Sequence, residues 1–249
     1  VVATERDVAG NVATAIAPLT KATSAPTLTL EAPLDGALVN ADMATDGLVV
    51  SGTGVIGLSV TITASDPAGK TATVTVPITD GTWTTSLPLL GLADGPVTIS
   101  ATSEDASGNS VVETVAVTLD SAVTITIDRP LAGDGIINPA EAPAFVVSGT
   151  GEPGSQVTIT VTDGATPLEQ IVVVSASGTF QAEFNVSAQQ AGPLTVTAVI
   201  ADQAGNTDED TATVENDPTA LAVTITRPIE GDDVINGTPE ELNAATITG

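Results

Sequence analysis

The sequence predicts an all-β chain of tandem sandwiches, and three observations carry that prediction. The chain repeats itself at an offset of 97 or 98 residues. Its apolar residues alternate with Thr at a period of two. Gly, Pro, Asp and Asn cluster between the alternating runs.

The repeat is spread over many positions. PLDGALVN (33–40) aligns with PLAGDGIIN (130–138) and PIEGDDVIN (228–236), and VVSGTG recurs at 49–54 and 146–151. DGTW (80–83) meets ASGTF (176–180), and DGPVTISAT (94–102) meets AGPLTVTAV (191–199). A D-x-x-G-N turn begins at Asp7, Asp105 and Asp202. Two complete units follow, 26–122 and 123–220. Residues 1–25 read as the closing hairpin of a preceding unit, and 221–249 as the opening of a following one, too little in either case to bury a core alone.

Within a unit, VTITI (123–127), QVTITVT (156–162), TATVTV (71–76) and LTVTAVI (194–200) read as strands with one face buried and one wet. The second unit shows seven such runs, near 123–128, 144–149, 156–162, 169–175, 179–186, 193–201 and 208–215. Seven antiparallel strands in about 97 residues is the signature of an immunoglobulin-like β-sandwich. No helix is expected. Trp83 and Phe180 fall at the same position of their repeats and are expected to plug the two cores.

Composition narrows the function. With 5 basic and 31 acidic residues the formal charge is −26, which repels nucleic acid and anionic membranes, and no apolar run is long enough to span a bilayer. Cys, His and Tyr are absent, which removes disulfides, thiolate nucleophiles and the commonest general acid–base group. No carboxylate stands out from the repetition as an active site would, so no enzymatic role is expected. A charge of this size opposes compaction unless cations are held, and Ca2+, bound through carboxylate and carbonyl oxygens, suits such a chain best. SGTGEPGS has the glycine spacing of a phosphate cradle, but no following helix and no nearby Lys.

The combination VSGTGEPGSQVTITVTDG, SGTF, GPLTVTAVIADQAGNT and TRPIEGDDVIN resembles the bacterial immunoglobulin-like repeats that form the extender region of very large repeats-in-toxin (RTX) adhesins and biofilm-associated surface proteins. The resemblance covers essentially the whole chain. It implies a secreted, surface-held rod of sandwiches set end to end, with calcium at the joints between neighbouring repeats and the distal ligand bound elsewhere in the parent chain.

Strand direction gives the carboxylates a place. If strands alternate down and up, the turns after strands one, three and five reach the C-terminal end of a repeat, and the turn between strands six and seven reaches its N-terminal end. Asp35, Asp66, Asp94 and the linker residue Asp120 then meet Asp202 of the following repeat, and Asp105 holds the matching position one repeat earlier. The next joint would use Asp134, Asp163 and Asp217, with Asp232 or Asp233. At the preceding joint, Lys21 stands where an acid is needed. D-x-A-G-N also makes a sound Asx-turn without any metal, and Asp208, Glu209 and Asp210 read as a solvated face. The competing reading is that an exposed face of the sandwiches binds a glycan or a partner-cell protein, which would call for an exposed aromatic platform.

Overall fold

The computed structural model describes residues 1–18 and 21–222. Asp232 and the predicted opening of a following repeat lie outside them. The chain divides into two compact units. The first is Val1–Val123 with the turn Ala201–Thr207, and the second is Thr124–Ile200 with Asp208–Gly249.

The first unit begins with an antiparallel hairpin, β1 (Val2–Arg6) and β2 (Val12–Ile16), every residue of which is exposed. Its sandwich follows. The five-stranded sheet runs in the order β3 (Ala37–Val39), β9 (Ser110–Leu119), β8 (Gly95–Glu104), β5 (Ser59–Ser65), β6 (Thr71–Pro77). The facing sheet pairs β4 (Leu48–Thr53) with β7 (Thr82–Leu87), and single bridges at Leu28 and Ala32 add the opening segment to β4. The second unit repeats the plan. β10 (Ile125–Ile127), β12 (Phe145–Gly151) and β15 (Thr179–Phe184) form one sheet. β11 (Ile136–Ile137), β17 (Thr207–Asn216), β16 (Gly192–Ala201), β13 (Gln156–Thr162) and β14 (Leu168–Val173) form the other.

The structure differs from the sequence reading in two places. The first strand of the second repeat is divided: β10 pairs with β12, and after the Pro130–Gly135 loop the chain crosses sheets so that β11 runs parallel to β17. Pro130 has no N–H to give a ladder, and Gly133 and Gly135 take left-handed backbone, so the strand breaks there and eight segments replace seven. The described residues also contain a short helix, α1 (Ala41–Asp46), and a 3-10 turn at Ala142–Ala144. In α1 the Asn40 side chain accepts the Met43 N–H, a proper N-cap, and Gly47 ends it at φ 97°.

The alternation of apolar residue and Thr sets the cores. Val60, Ile62 and Ala64 of β5 point inward with Val97, Ile99 and Ala101 of β8, while Val157, Ile159 and Val161 meet Leu194, Val196 and Ala198 in the second repeat. Outward, Thr61 meets Thr75 and Thr63 meets Thr73 through hydroxyl contacts. Trp83 and Phe180 are 3% and 4% exposed, as their repeat position requires of core plugs.

The SGTG motif explains how the opening strand lies so close. A Cβ on Gly52 would sit 2.0 Å from the Thr29 carbonyl oxygen and 2.8 Å from the Trp83 ring, and one on Gly149 would sit 2.0 Å from the Thr126 oxygen and 2.6 Å from the Phe180 ring. These glycines are packing residues, and Gly154 of the same stretch takes a φ of 88° in its turn, so packing and turn geometry together account for the phosphate-like spacing. Gly52→Ala and Gly149→Ala should each cost about 1–3 kcal/mol through forced separation of strand and ring. Because Trp83 is the single Trp, urea unfolding followed by its fluorescence should shift strongly for Gly52→Ala and little for Gly149→Ala, whereas circular dichroism should register both.

Candidate metal centre at the D-x-A-G-N turn

The three D-x-x-G-N turns share one construction. The leading Asp accepts main-chain N–H groups from inside its own turn, and the closing Asn donates Nδ2 to the second carboxylate oxygen: 2.7 Å at Asp7, 2.9 Å at Asp105 and 2.6 Å at Asp202. The Asn N–H reaches the first oxygen at 2.8, 3.0 and 2.8 Å. Gly10, Gly108 and Gly205 supply the positive φ the turn needs. The Asx-turn reading therefore holds at all three.

Asn206 does more than close its turn. It is buried, 8% exposed. Its Oδ1 accepts the Ala41 N–H at 2.9 Å, at the start of α1, and its Nδ2 also donates to the Asp120 carbonyl at 2.8 Å. Asn109 makes the matching contact with the Ala22 carbonyl at 3.5 Å. The sequence assigns these Asn residues turn geometry, with a side-chain carbonyl ligand to a metal as the alternative. The missed signal is that a donor and an acceptor on one short side chain can also satisfy main-chain groups of the linker.

Asp120 and Asp202 come together, with carboxylate oxygens within 4.8 Å. Burial, followed by the charges of Asp202 and Asp94, pushes the Asp120 carboxyl above its ordinary value. Burial also acts on Asp202, but the side-chain and main-chain bonds from Asn206 and the amides of Gly205 and Ala204 outweigh it and hold that carboxyl low. Asp94 accepts the Ser121 N–H at 3.2 Å and its hydroxyl at 2.8 Å, which ties the linker to the turn before β8. Asn40, Ala41, Asp42, Ser121 and Asn206 line a cleft of about 320 Å³ beside this group. The donors are all oxygen, with no His or Cys in the chain, which is the set a hard divalent cation takes.

The remaining predicted ligands serve main-chain amides. Asp66, 5% exposed, accepts the Lys70 and Ala93 N–H groups and so clamps the turn after β5 to the turn before β8, which lowers its pKa. Asp163 does the same in the second repeat with Gln190, Thr166 and Ala165. Asp105 is held low by Asn109. Asp35, in the loop before β3, accepts the Ala116 N–H of β9, and Asp134, in the loop before β11, accepts the Ile136 N–H. Asp217 accepts the Thr219 N–H, while its own N–H donates to the Ile137 carbonyl, as Asp120 does to Val39.

The solvated-face reading of Asp208 and Asp210 is corrected by the structure. Asp208 accepts the Ile125 N–H at 3.1 Å, and Asp210 accepts the Ile127 N–H at 2.7 Å and pairs with Arg129.

Residues 138–217 match the bacterial Ig domain family, so the second repeat is a bacterial Ig domain, and the first shares its period, motifs and strand plan. The chain is similar to a tetra-tandem repeat from the extending region of a large adhesion protein, with 29% identity over 88% of this chain and 56% of that one, at a TM-score of 0.41. It is also similar to a Ca2+-stabilized adhesin that helps an Antarctic bacterium reach out and bind ice, with 30% identity over 95% of this chain and 61% of the other, at a TM-score of 0.45. A third likeness, at 23% identity and a TM-score of 0.40, covers 88% of this chain and 74% of a structure from a 1.5-MDa bacterial ice-binding adhesin. The chain thus spans less than two thirds of the length of the first two. No curated protein sequence matches it.

Two predictions test this chemistry. Asn206→Ala should destabilise by about 1–3 kcal/mol, since it leaves the Ala41 N–H and the Asp120 carbonyl without their partner, as read by differential scanning calorimetry. Arg129 holds the Asp210 pKa at about 2, below the unfolded value. The pair's contribution is therefore present above about pH 4 and fades as pH falls through 2. Wild type should exceed Asp210→Asn in stability at neutral pH, with the gap closing in acid-unfolding curves toward pH 2.

Proposed function

We propose that the chain is a structural extender segment of a secreted bacterial surface adhesin, in which tandem Ig-like repeats are stiffened by Ca2+ at their joints and project a ligand-binding domain located elsewhere in the parent protein. The observation that carries the reading is the approach of Asp120 to Asp202 with Asp94 nearby. The carboxylate oxygens of Asp120 and Asp202 lie within 4.8 Å of each other against a linker, and their charges, with that of Asp94 also acting on Asp120, repel one another unless a cation enters.

Asp94, Asp120 and Asp202 would hold the ion. Each retains oxygen lone pairs beyond those given to amides, and main-chain carbonyls and water can fill the six to eight positions that calcium accepts in irregular geometry. When bound, the ion supplies charge neutralisation and a rigid cross-link. By repeat equivalence, Asp217 holds the Asp120 position for the following joint, where Asp232 would contribute as well. Extracellular calcium modules have dissociation constants of about 10⁻⁴ to 10⁻³ M, so such joints fill outside the cell and empty in the cytoplasm. Glycan or protein recognition by an exposed face gains no support from the aromatic side chains: Trp83, Phe145, Phe180 and Phe184 are all buried.

Small-angle X-ray scattering of the chain in millimolar calcium and after chelation tests the proposal. The expected result is a larger maximum dimension and lower flexibility with calcium, and loss of that difference in Asp120→Asn. Profiles that do not respond to calcium would remove the ion from the mechanism.

A further inference from the structure

The two repeats share a plan but differ in how the first strand is tied to the last. In the second repeat, β10 uses one edge to pair with β12. Its other edge presents the Ile125 and Ile127 N–H groups, two residues apart and therefore on the same side. Asp208 and Asp210 of β17, also two apart, meet them one for one, at 3.1 and 2.7 Å. Arg129 then closes the group. Its two guanidinium nitrogens reach both oxygens of Asp210, at 2.9 and 2.7 Å, as well as the Ile127 carbonyl at 2.8 Å and the Thr211 carbonyl at 2.8 Å. Arg129 and Asp210 thus form an ion pair.

The first repeat lacks these parts. At the positions 97 residues earlier stand Leu28, Leu30 and Ala32 opposite Val111 and Glu113. Val111 cannot accept a hydrogen bond, and Ala32 supplies no cation. There the opening segment meets β4 through main-chain bonds of Thr29 with Thr53 and of Glu31 and Ala32 with Ser51, and its continuation β3 runs parallel to β9 as β11 does to β17, without the charged group.

β10 and β17 are the strands by which the chain begins and ends the second repeat. β11, which continues the first strand, runs parallel to β17. Tension applied at the two ends of the repeat therefore pulls β10 and β17 in opposite senses along their length, so the bonds joining them are loaded together in shear. They are charge-assisted and partly bidentate, the strongest hydrogen bonds a protein makes.

We infer that Asp208, Asp210 and Arg129 form a mechanical lock between the first and last strands of the second repeat, so that tension on the chain opens the first repeat before the second. The inference gives the extender reading above a graded response to force, and its biological meaning rests on that reading. The lock itself is a property of one repeat and needs no calcium.

The test is single-molecule pulling of the whole chain between its termini, in chelator and in millimolar calcium. Wild type should give two unfolding events at separate forces, in both buffers. Arg129→Gln with Asp210→Asn should bring the higher event down toward the lower one and speed its opening at fixed load by about tenfold, with the lower event unmoved. Arg129→Lys, which keeps the charge but loses the fork, should fall between, and it serves if the double variant fails to give a folded circular dichroism spectrum. Equal forces in wild type, or an upper event indifferent to Arg129→Lys, would overturn the lock. Either result leaves the scattering test of calcium stiffening independent.

Discussion

Main-chain amides, rather than basic side chains, hold the carboxylates of this protein. With 5 basic residues against 31 acidic ones, charge pairing cannot organise the fold. Each turn instead aims N–H groups at an Asp: Asp7, Asp105 and Asp202 in the D-x-x-G-N turns, Asp66 and Asp163 between neighbouring turns, Asp208 and Asp210 across the sandwich. An amide bonded to a carboxylate satisfies a donor that would otherwise need water and keeps the acid ionised. The exception is Asp120, whose carboxyl is driven upward by burial and by its neighbours.

Much of this was legible in the sequence. Period-two alternation placed strands such as Gln156–Thr162 and Gly192–Ala201 closely, because a sheet with one wet face writes itself as apolar residue and Thr in turn. Trp83 and Phe180 were readable as core from their shared repeat position. The divided first strand was not, because three inward residues and a Gly-containing loop read as one strand and its turn. α1 was hidden by its length: six residues show no helical period, although Asn40 and Gly47 carried the capping signals. The roles of Asp208 and Asp210 depend on Ile125, Ile127 and Arg129, some eighty residues away, and a run of alternating acids looks the same whether it faces water or a neighbouring strand.

The acids also show how a repeat can be kept while its residues change function. Asp66 and Asp163 perform the same clamp, yet Lys70 and Ala93 are its partners in one repeat and Gln190 with Thr166 in the other. The Asn of the D-x-x-G-N turn donates to a linker carbonyl in both, to Ala22 and to Asp120. What varies is the acid beside that carbonyl, absent at Ala22 and present at Asp120. Backbone geometry is the constant element, and charge is placed on it joint by joint.

The most direct measurement is a calcium titration of the chain followed by carboxyl-carbon NMR. Signals of Asp120, Asp202 and Asp94 should move together with calcium and saturate at one occupancy, while those of Asp66, Asp105 and Asp163, already held by amides, should stay nearly still. Uniform small shifts across all acids would mean that calcium acts only as a diffuse counter-ion, and the account of Asp120 as the group that requires a bound cation would be wrong.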